Sequence, residues 1–365
     1  MDADRPLAQS VRATRGREVI SEPVAIVIVN YRTPELTGRC LTALETERSA
    51  FRKLKIIIVD GHSADGSAEQ LSRLIAESSF RDLVTLLALP LNGGFGWANN
   101  QAIKRLMTAG ERPRYIHLLN PDTEIEAGAV SRLADYLNRN PRVAAVGSQL
   151  LDLNGSRAGS AFTFPSIRGE FSRGARTAAL DRFFRIPPIS IDASTPAKVD
   201  WVSGASVMFR VEALGEVGLF DEGFFLYYDE TELMWRLRKR GWSVAIEPRS
   251  RVRHVAGAAT GVHGQETTAK IERRHPKYLY RSRTRFFGLT RGRTVATIAF
   301  LAWLAGNAVW RARHLLGISS GKARDHEVRD HLSTAFPLKH DSMAAAPPLD
   351  GPATAAPAWM EKGWL

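Results

Sequence analysis

Two groups of polar residues stand out in this 365-residue sequence because of where they fall. Four apolar stretches each end in side chains able to hydrogen-bond or coordinate: Asn30-Tyr31, Asp60, Asn92 and Asn120-Pro121-Asp122. Further along, Asp229-Glu230-Thr231-Glu232 packs three carboxylates into four positions. A carboxylate can accept an N–H, ligate a hard cation or take a proton as a general base, and crowding raises the pKa of one member by repulsion. Taken singly, each residue has a structural explanation, since Asn and Asp favour turns and caps and acids favour helix starts. Four polar ends on one edge of a sheet are harder to explain that way. The segment Asn92-Gly93-Gly94-Phe95-Gly96 permits close backbone approach to a phosphate or sugar just before a helix. It matches neither GxGxxG nor GxxxxGK[ST], which argues against a dinucleotide dehydrogenase and a P-loop NTPase.

The elements that must position these residues follow from periodicity. Val24 to Asn30, Lys55 to Asp60, Leu83 to Leu89, Tyr115 to Leu119 and Val143 to Gly147 read as buried strands. Helices are expected from Pro34 through Leu44, from about Ser67, over Trp97 to Met107 and over Ala127 to Asn138. Strands alternating with helices imply an α/β fold with a doubly wound, mostly parallel sheet, whose ligands bind beyond the C-terminal strand ends. Residues 154–198, rich in Gly, Pro, Ser and Arg, have no clear period and read as a long loop or insertion. Order returns at Val199 to Arg210, and Thr231 to Arg240 reads as a helix. Residues 1–22 read as a flexible lead-in without the apolar core of a secretory signal, and 331–365 as an Ala/Pro-rich disordered tail.

Composition narrows the classes. With 24% charged and 8% aromatic residues the chain is ordinary globular protein. Its one cysteine, Cys40, excludes an internal disulfide framework and a cysteine zinc cluster, and fits a reducing compartment. The formal charge of +12 is concentrated, because Ile271 to Arg313 holds ten basic residues and one acid. That block encloses Val295 to Trp310, sixteen residues without a charge. As a helix this run would be ~24 Å long, short of the ~30 Å hydrocarbon core. A helix lying in an anionic membrane interface is therefore expected, with a buried core or oligomer-interface helix as the structural alternative. Nucleic acid is not the expected partner, since the charge flanks an apolar helix rather than an aromatic-lined groove.

Taken in order, VIVNYRTPELTGRCLTAL (27–44), IIIVDGHSADGS (56–67), NGGFGWANNQAI (92–103) and LLNPDTEI (118–125) resemble a known family. So do WVSGASVMFRVEALGEVGLFDEGFFLYYDETELMWRLRKRGW (201–242) and RHVAGAATG (253–261). Over residues 24–290 the chain is similar to the inverting GT-A glycosyltransferases of glycosyltransferase family 2, particularly the bacterial rhamnosyltransferase-like branch. The resemblance implies a catalytic domain over 23–270 and a basic helical membrane-associating segment over 271–330.

It also implies roles. Asp60 would pair with the imide N–H of a uracil or thymine base, and Asn30, Tyr31, Asn92 and Gly94 would line the nucleotide-sugar pocket. Asn120-Pro121-Asp122 matches the DXD-type motif, with Asn120 facing ribose and Asp122 on a Mg²⁺ or Mn²⁺ ion that bridges the diphosphate. His254 matches a late metal-binding histidine. Glu230 would be the general base, with Asp229 the alternative, because Glu stands where the family has Asp. Trp201, Ser203, Gly204 and Glu232 would line the sugar and acceptor pocket, and Arg281, Arg283 and Arg285 would hold the diphosphate of a lipid-linked acceptor. The implied reaction transfers L-rhamnose from dTDP-L-rhamnose to a polyprenyl-diphosphate-linked glycan in bacterial cell-wall or surface-glycan assembly, on the cytoplasmic face of the membrane. A UDP-sugar hexosyl- or N-acetylhexosaminyltransferase is the alternative within the same fold, and a basic membrane- or nucleic-acid-binding scaffold the non-enzyme alternative.

Overall fold

The computed structural model describes residues 19–183, 185–255, 274–319, 326–335 and 344–360. The first half alternates as expected: β1 (Val24–Asn30), α1 (Pro34–Leu44), β2 (Leu54–Asp60), α2 (Ser67–Glu77), β3 (Val84–Ala88), α3 (Phe95–Thr108) and β4 (Tyr115–Leu119). The short β5 (Thr123–Ile125), α4 (Ala129–Arg139) and the fully buried β6 (Val143–Leu151) follow. Residues 154–198, without a period in sequence, hold small elements: β7 (Ala161–Phe162), α5 (Ile167–Ala175), α6 (Ala178–Phe183), β8 (Ser190–Ile191) and most of β9 (Ala197–Val199). After β10 (Trp201–Val202) come β11 (Ser206–Arg210), α7 (Val211–Val217), α8 (Asp229–Lys239) and β12 (Ser243–His254). Three C-terminal helices complete the chain: α9 (Lys277–Arg291), α10 (Arg293–Leu315) and α11 (Glu327–Ala335).

The main sheet runs β3-β2-β1-β4-β11-β6-β12-β5, with β9 also paired to β12. Parallel pairing of β3, β2, β1 and β4 is followed by β11 antiparallel to both neighbours, then β6 and β12 parallel to each other. The doubly wound, mostly parallel α/β sheet read from the sequence is thus present. Two apolar layers cover its faces, one centred on α3 and α8, the other on α1, α2 and α4. A small antiparallel sheet, β10-β7-β8, stands beside it.

Register brings the polar ends together. Asn30 lies opposite Asp60 at the ends of β1 and β2. The antiparallel pairing of β12 with β5 sets His254 opposite Thr123, next to Asp122.

The uncharged run belongs to a longer helix than its own sixteen residues, since α10 has 23 residues and spans about 34 Å. By length and hydropathy α10 is able to cross a membrane. One face is nonetheless occupied by protein: Phe300, Trp303, Gly306 and Trp310 are buried, and the helix packs on α5, α9 and α11. Gly174 of α5 and Gly306 of α10 face each other so closely that a Cβ on either would collide with the opposing backbone. The 154–198 insertion is therefore the platform on which the C-terminal helix lies.

Two expectations for the C-terminal part are corrected. Arg283 is buried and paired with Glu170 and His331, and Arg285 is buried against Asp221 at 2.6 Å. These guanidiniums balance internal carboxylates, whose burial would otherwise be very costly, and face no open surface for a diphosphate. Within the 331–365 tail, residues 331–335 close α11, and residues 344–360 run as an ordered strap along α3 with Leu349 and Trp359 buried. An Ala/Pro-rich composition reads as unstructured because the strap's partners lie more than a hundred residues upstream.

Candidate active site

At the ends of β1 and β2, Asn30 is wholly enclosed. Its Oδ1 accepts from Thr33 N, Thr33 Oγ1 and Thr37 Oγ1, and its Nδ2 donates to Asp60 Oδ1 at 2.8 Å. Asp60 further accepts from Ser63 N at 3.1 Å and Ser63 Oγ at 2.6 Å. The cavity wall here is made by Tyr31 and Gly61, so Asn30 and Asp60 stand behind the lining rather than in it as expected. The Asn30 amide orients the Asp60 carboxylate and pins the two strand ends.

The glycine segment before α3 is shaped by contact as well as by torsion. Gly94 has φ +87°, and a Cβ on it would collide with the Phe225 carbonyl, which accepts from Phe95 N at 3.1 Å. Asn92 Oδ1 caps the turn by accepting from Gly94 N at 3.1 Å. Both Asn92 and Gly94 line a cavity of about 740 Å³, a size suited to a nucleotide-sized ligand.

Asn120, Asp122 and His254 meet on one side of that cavity. Asp122 Oδ1 lies 3.2 Å from His254 Nε2, and Asn120 Nδ2 lies 3.4 Å from the same nitrogen. Backbone bonds fix the group: Asn120 N donates to Ala205 O at 2.9 Å and Val255 N to Asp122 O at 3.0 Å. Two ligand atoms at about 2.0–2.1 Å from one octahedral ion are about 3 Å apart, so this spacing fits a shared divalent cation. Among the described residues no group of three or more His, Cys, Asp or Glu could hold a metal. A cation here would draw its remaining ligands from water and a substrate diphosphate.

The opposing acids open α8. They follow Tyr227 and Tyr228, two non-glycine residues in the left-handed region at φ 67° and 65°. Such backbone costs of order 1–3 kcal/mol per residue and persists only where surroundings enforce it. Asp229 is only 1% exposed, and burial, then the adjacent Glu230 carboxylate, pushes its pKa well above the usual range. Asp229 Oδ2 and Glu230 Oε2 are buried without a hydrogen-bond partner. An enclosed carboxylate with an unpartnered oxygen beside a cavity is ready to receive a proton. Gly204 lies opposite, where a Cβ would come within 3.6 Å of Glu230 Oε1.

Glu232 is corrected as a pocket residue. Two positions beyond Glu230 it falls on the far face of the helix, where both carboxylate oxygens accept from Arg236 Nε at 2.8 and 2.9 Å. Arg236 also donates to Leu219 O, so the pair anchors α8 to the preceding loop.

Trp201, Ser203 and Gly204 do line the cavity. The Trp201 ring stacks on Phe162 at 4.3 Å and its Nε1 donates to Thr163 O. Sequence reasoning missed Phe162, Tyr227 and Tyr278, which with Phe225, the last residue of the FDEGFF turn (220–225) read from the sequence as shaping the site, complete this apolar wall. Tyr278 of α9 stacks on Tyr227 with centroids 6.1 Å apart, and burial, then Tyr227, raises its phenol to about 12. The aromatic run before the acids, FFLYY (224–228), was the available signal for Tyr227. Nothing in sequence marked Phe162 or Tyr278.

The arrangement places a cation-compatible Asp/His pair and a buried acid pair on one aromatic-walled cavity. Known proteins share its framework. The chain is 29% identical over 254 residues to N-acetylglucosaminyl-diphospho-decaprenol L-rhamnosyltransferase of Mycobacterium tuberculosis, covering 66% of this chain and 79% of that one. It is 23% identical to poly-beta-1,6-N-acetyl-D-glucosamine synthase of Staphylococcus epidermidis, over 63% of this chain and 49% of that one. The fold is also that of mannosyltransferase PcManGT from Pyrobaculum calidifontis, solved with GDP-Man and Mn²⁺. That match has a TM-score of 0.51 and 14% identity, and covers 88% of this chain and 83% of the other. A similar match, to GalNAc-T7 solved with UDP, GalNAc and Mn²⁺, has a TM-score of 0.52 and 13% identity, over 87% and 58% of the two chains. Residues 25–218, more than half the chain, match the family described as Glycosyl transferase family 2, and with the strand-end site and the shared GT-A fold this chain belongs to it.

Proposed function

We propose that the protein is an inverting, divalent-metal-dependent glycosyltransferase that moves L-rhamnose from dTDP-L-rhamnose to a polyprenyl-diphosphate-linked glycan. The observation that carries this reading is the buried, unpartnered carboxylate pair Asp229/Glu230 lining the same cavity as Asp122 and His254. An acceptor hydroxyl attacks the anomeric carbon as the bond from that carbon to the diphosphate oxygen breaks. The bonding electron pair leaves with the nucleoside diphosphate, and the hydroxyl proton passes to Glu230. Burial and the adjacent Glu230 carboxylate raise the pKa of Asp229, and Glu230, on the same cavity, is the proposed acceptor of that proton. Asp122 and His254 would hold the cation, which supplies charge stabilisation for the leaving diphosphate. Of the residues lining the cavity, Tyr31, Asn92, Gly94 and Asn120 are proposed for the donor, and Trp201, Ser203 and Gly204 for the acceptor. Asp60, oriented by Asn30, is the proposed partner of the base.

The mycobacterial relative supports rhamnose as the donor sugar and a lipid diphosphate acceptor. The site of action is proposed from α10, whose exposed stripe includes Ile298 (43%) and Leu301 (52%) between Arg293 and Arg311. Apolar residues flanked by arginines fit an anionic lipid interface at the cytoplasmic face of the cell membrane.

The test is turnover of dTDP-L-rhamnose, UDP-sugars and GDP-sugars with Mn²⁺, Mg²⁺ or chelator. Transfer from dTDP-L-rhamnose, lost with chelator, is expected, and Glu230→Gln should lower kcat by ~10²–10⁴-fold with donor binding retained. Transfer only from UDP-sugars would overturn the rhamnose assignment. Full turnover in Glu230→Gln would overturn the base.

A further inference from the structure

The C-terminal strap, residues 344–360, lies outside the family match, which ends at residue 218. Its contacts fall on α3 and on two loops of the site. Glu222 N donates to Ala345 O at 3.1 Å, and Thr354 Oγ1 donates to Glu222 Oε2 at 2.7 Å, fixing the strap to the loop that leads into the acid pair. Lys104 Nζ and Gln101 Nε2 on α3 donate to the Gly351 and Thr354 carbonyls at 2.6 and 3.0 Å. At its end, Trp359 is 3% exposed; its Nε1 donates to Gly93 O at 3.1 Å, and its ring meets Phe225 edge-on at 5.2 Å. Trp359 therefore touches both sides of the contact in which the Phe225 carbonyl receives Phe95 N and abuts Gly94.

We infer that Trp359 is a positioning residue which clamps the glycine loop of the nucleotide-sugar site against the Phe225 loop that carries the acid pair. The inference rests on the donor reading above. Nothing in the strap reaches the cavity, so its effect passes through the backbone of Gly93 and Phe225. A clamp that holds the donor loop in its binding geometry must in turn be tightened by nucleotide, because coupling between two sites is reciprocal.

Two measurements on the full chain test this. In steady-state kinetics, Trp359→Ala should raise the donor KM about tenfold. Trp359→Phe, which keeps the ring and loses the N–H, should raise it about fivefold, the equivalent of one buried hydrogen bond. Acceptor KM should change little in both. Unchanged donor KM in a folded Trp359→Ala protein overturns the clamp. Hydrogen exchange on the unaltered protein, with and without dTDP or UDP plus Mn²⁺, covers the case in which the variants fail to fold. Slowed exchange at both 92–96 and 344–360 supports the clamp, and slowing at 92–96 alone overturns it. No slowing anywhere with any nucleotide overturns the nucleotide-sugar reading itself.

Discussion

At the residue scale the decisive chemistry is that of two carboxylates that differ in their surroundings. Asp229 and Glu230 both open α8, where the helix dipole favours anions, yet burial outweighs it at Asp229 and raises its pKa. A raised carboxyl pKa stabilises the fold fully only below the unfolded value of 3.8, and that stabilisation is lost as pH rises through the folded pKa. Asp229→Asn removes the titration while keeping the shape. Its Tm, measured from pH 4 to pH 9, should therefore fall less with rising pH than that of the unaltered protein. Parallel curves would show that folding does not raise the pKa of Asp229. Asn30 offers a different lesson, since a polar strand end can serve a site without touching ligand, by orienting the carboxylate beside it.

At the element scale, the glycines before α3 and between α5 and α10 set how closely chains approach. Gly94 combines a left-handed φ with a Cβ position filled by the Phe225 carbonyl. Gly94→Ala should destabilise the protein by roughly 1–3 kcal/mol through strain, and should weaken donor binding because the displaced loop also bears Asn92. Chemical denaturation and nucleotide titration read the two effects separately, and unchanged values in both would remove Gly94 from the site. The helix with the acids was legible in sequence because Leu233, Met234 and Leu237 fall at helical spacing. The insertion was not, because its elements are two to nine residues long, too short to display a period.

At the scale of the whole molecule, the +12 charge divides between internal and external use. Arg283 and Arg285 neutralise Glu170 and Asp221, residues 113 and 64 positions away in sequence. Arg293 and Arg311 are exposed at either end of the α10 stripe. Replacing Ile298 and Leu301 together by Ser should cut the affinity for anionic liposomes, read by co-sedimentation, more than about tenfold while leaving turnover of a water-soluble acceptor analogue unchanged. The roughly 1.5–3 kcal/mol that a fully buried aliphatic side chain contributes sets the scale of that loss. Binding equal to that of the unaltered chain would point instead to a contact between copies.

The sequence by itself determined the alternating α/β framework, the polar strand ends and the acid cluster, because buried strands, turns and helix starts leave local patterns. Only the tertiary structure decided which of those residues share a cavity. Register set His254 beside Asp122, helix phase carried Glu232 away from Glu230, and burial paired Arg283 and Arg285 internally. The same holds for the strap, whose order comes from contacts with α3 and the Phe225 loop. Those contacts are fixed by distances in space between residues far apart in the chain, which no local pattern encodes.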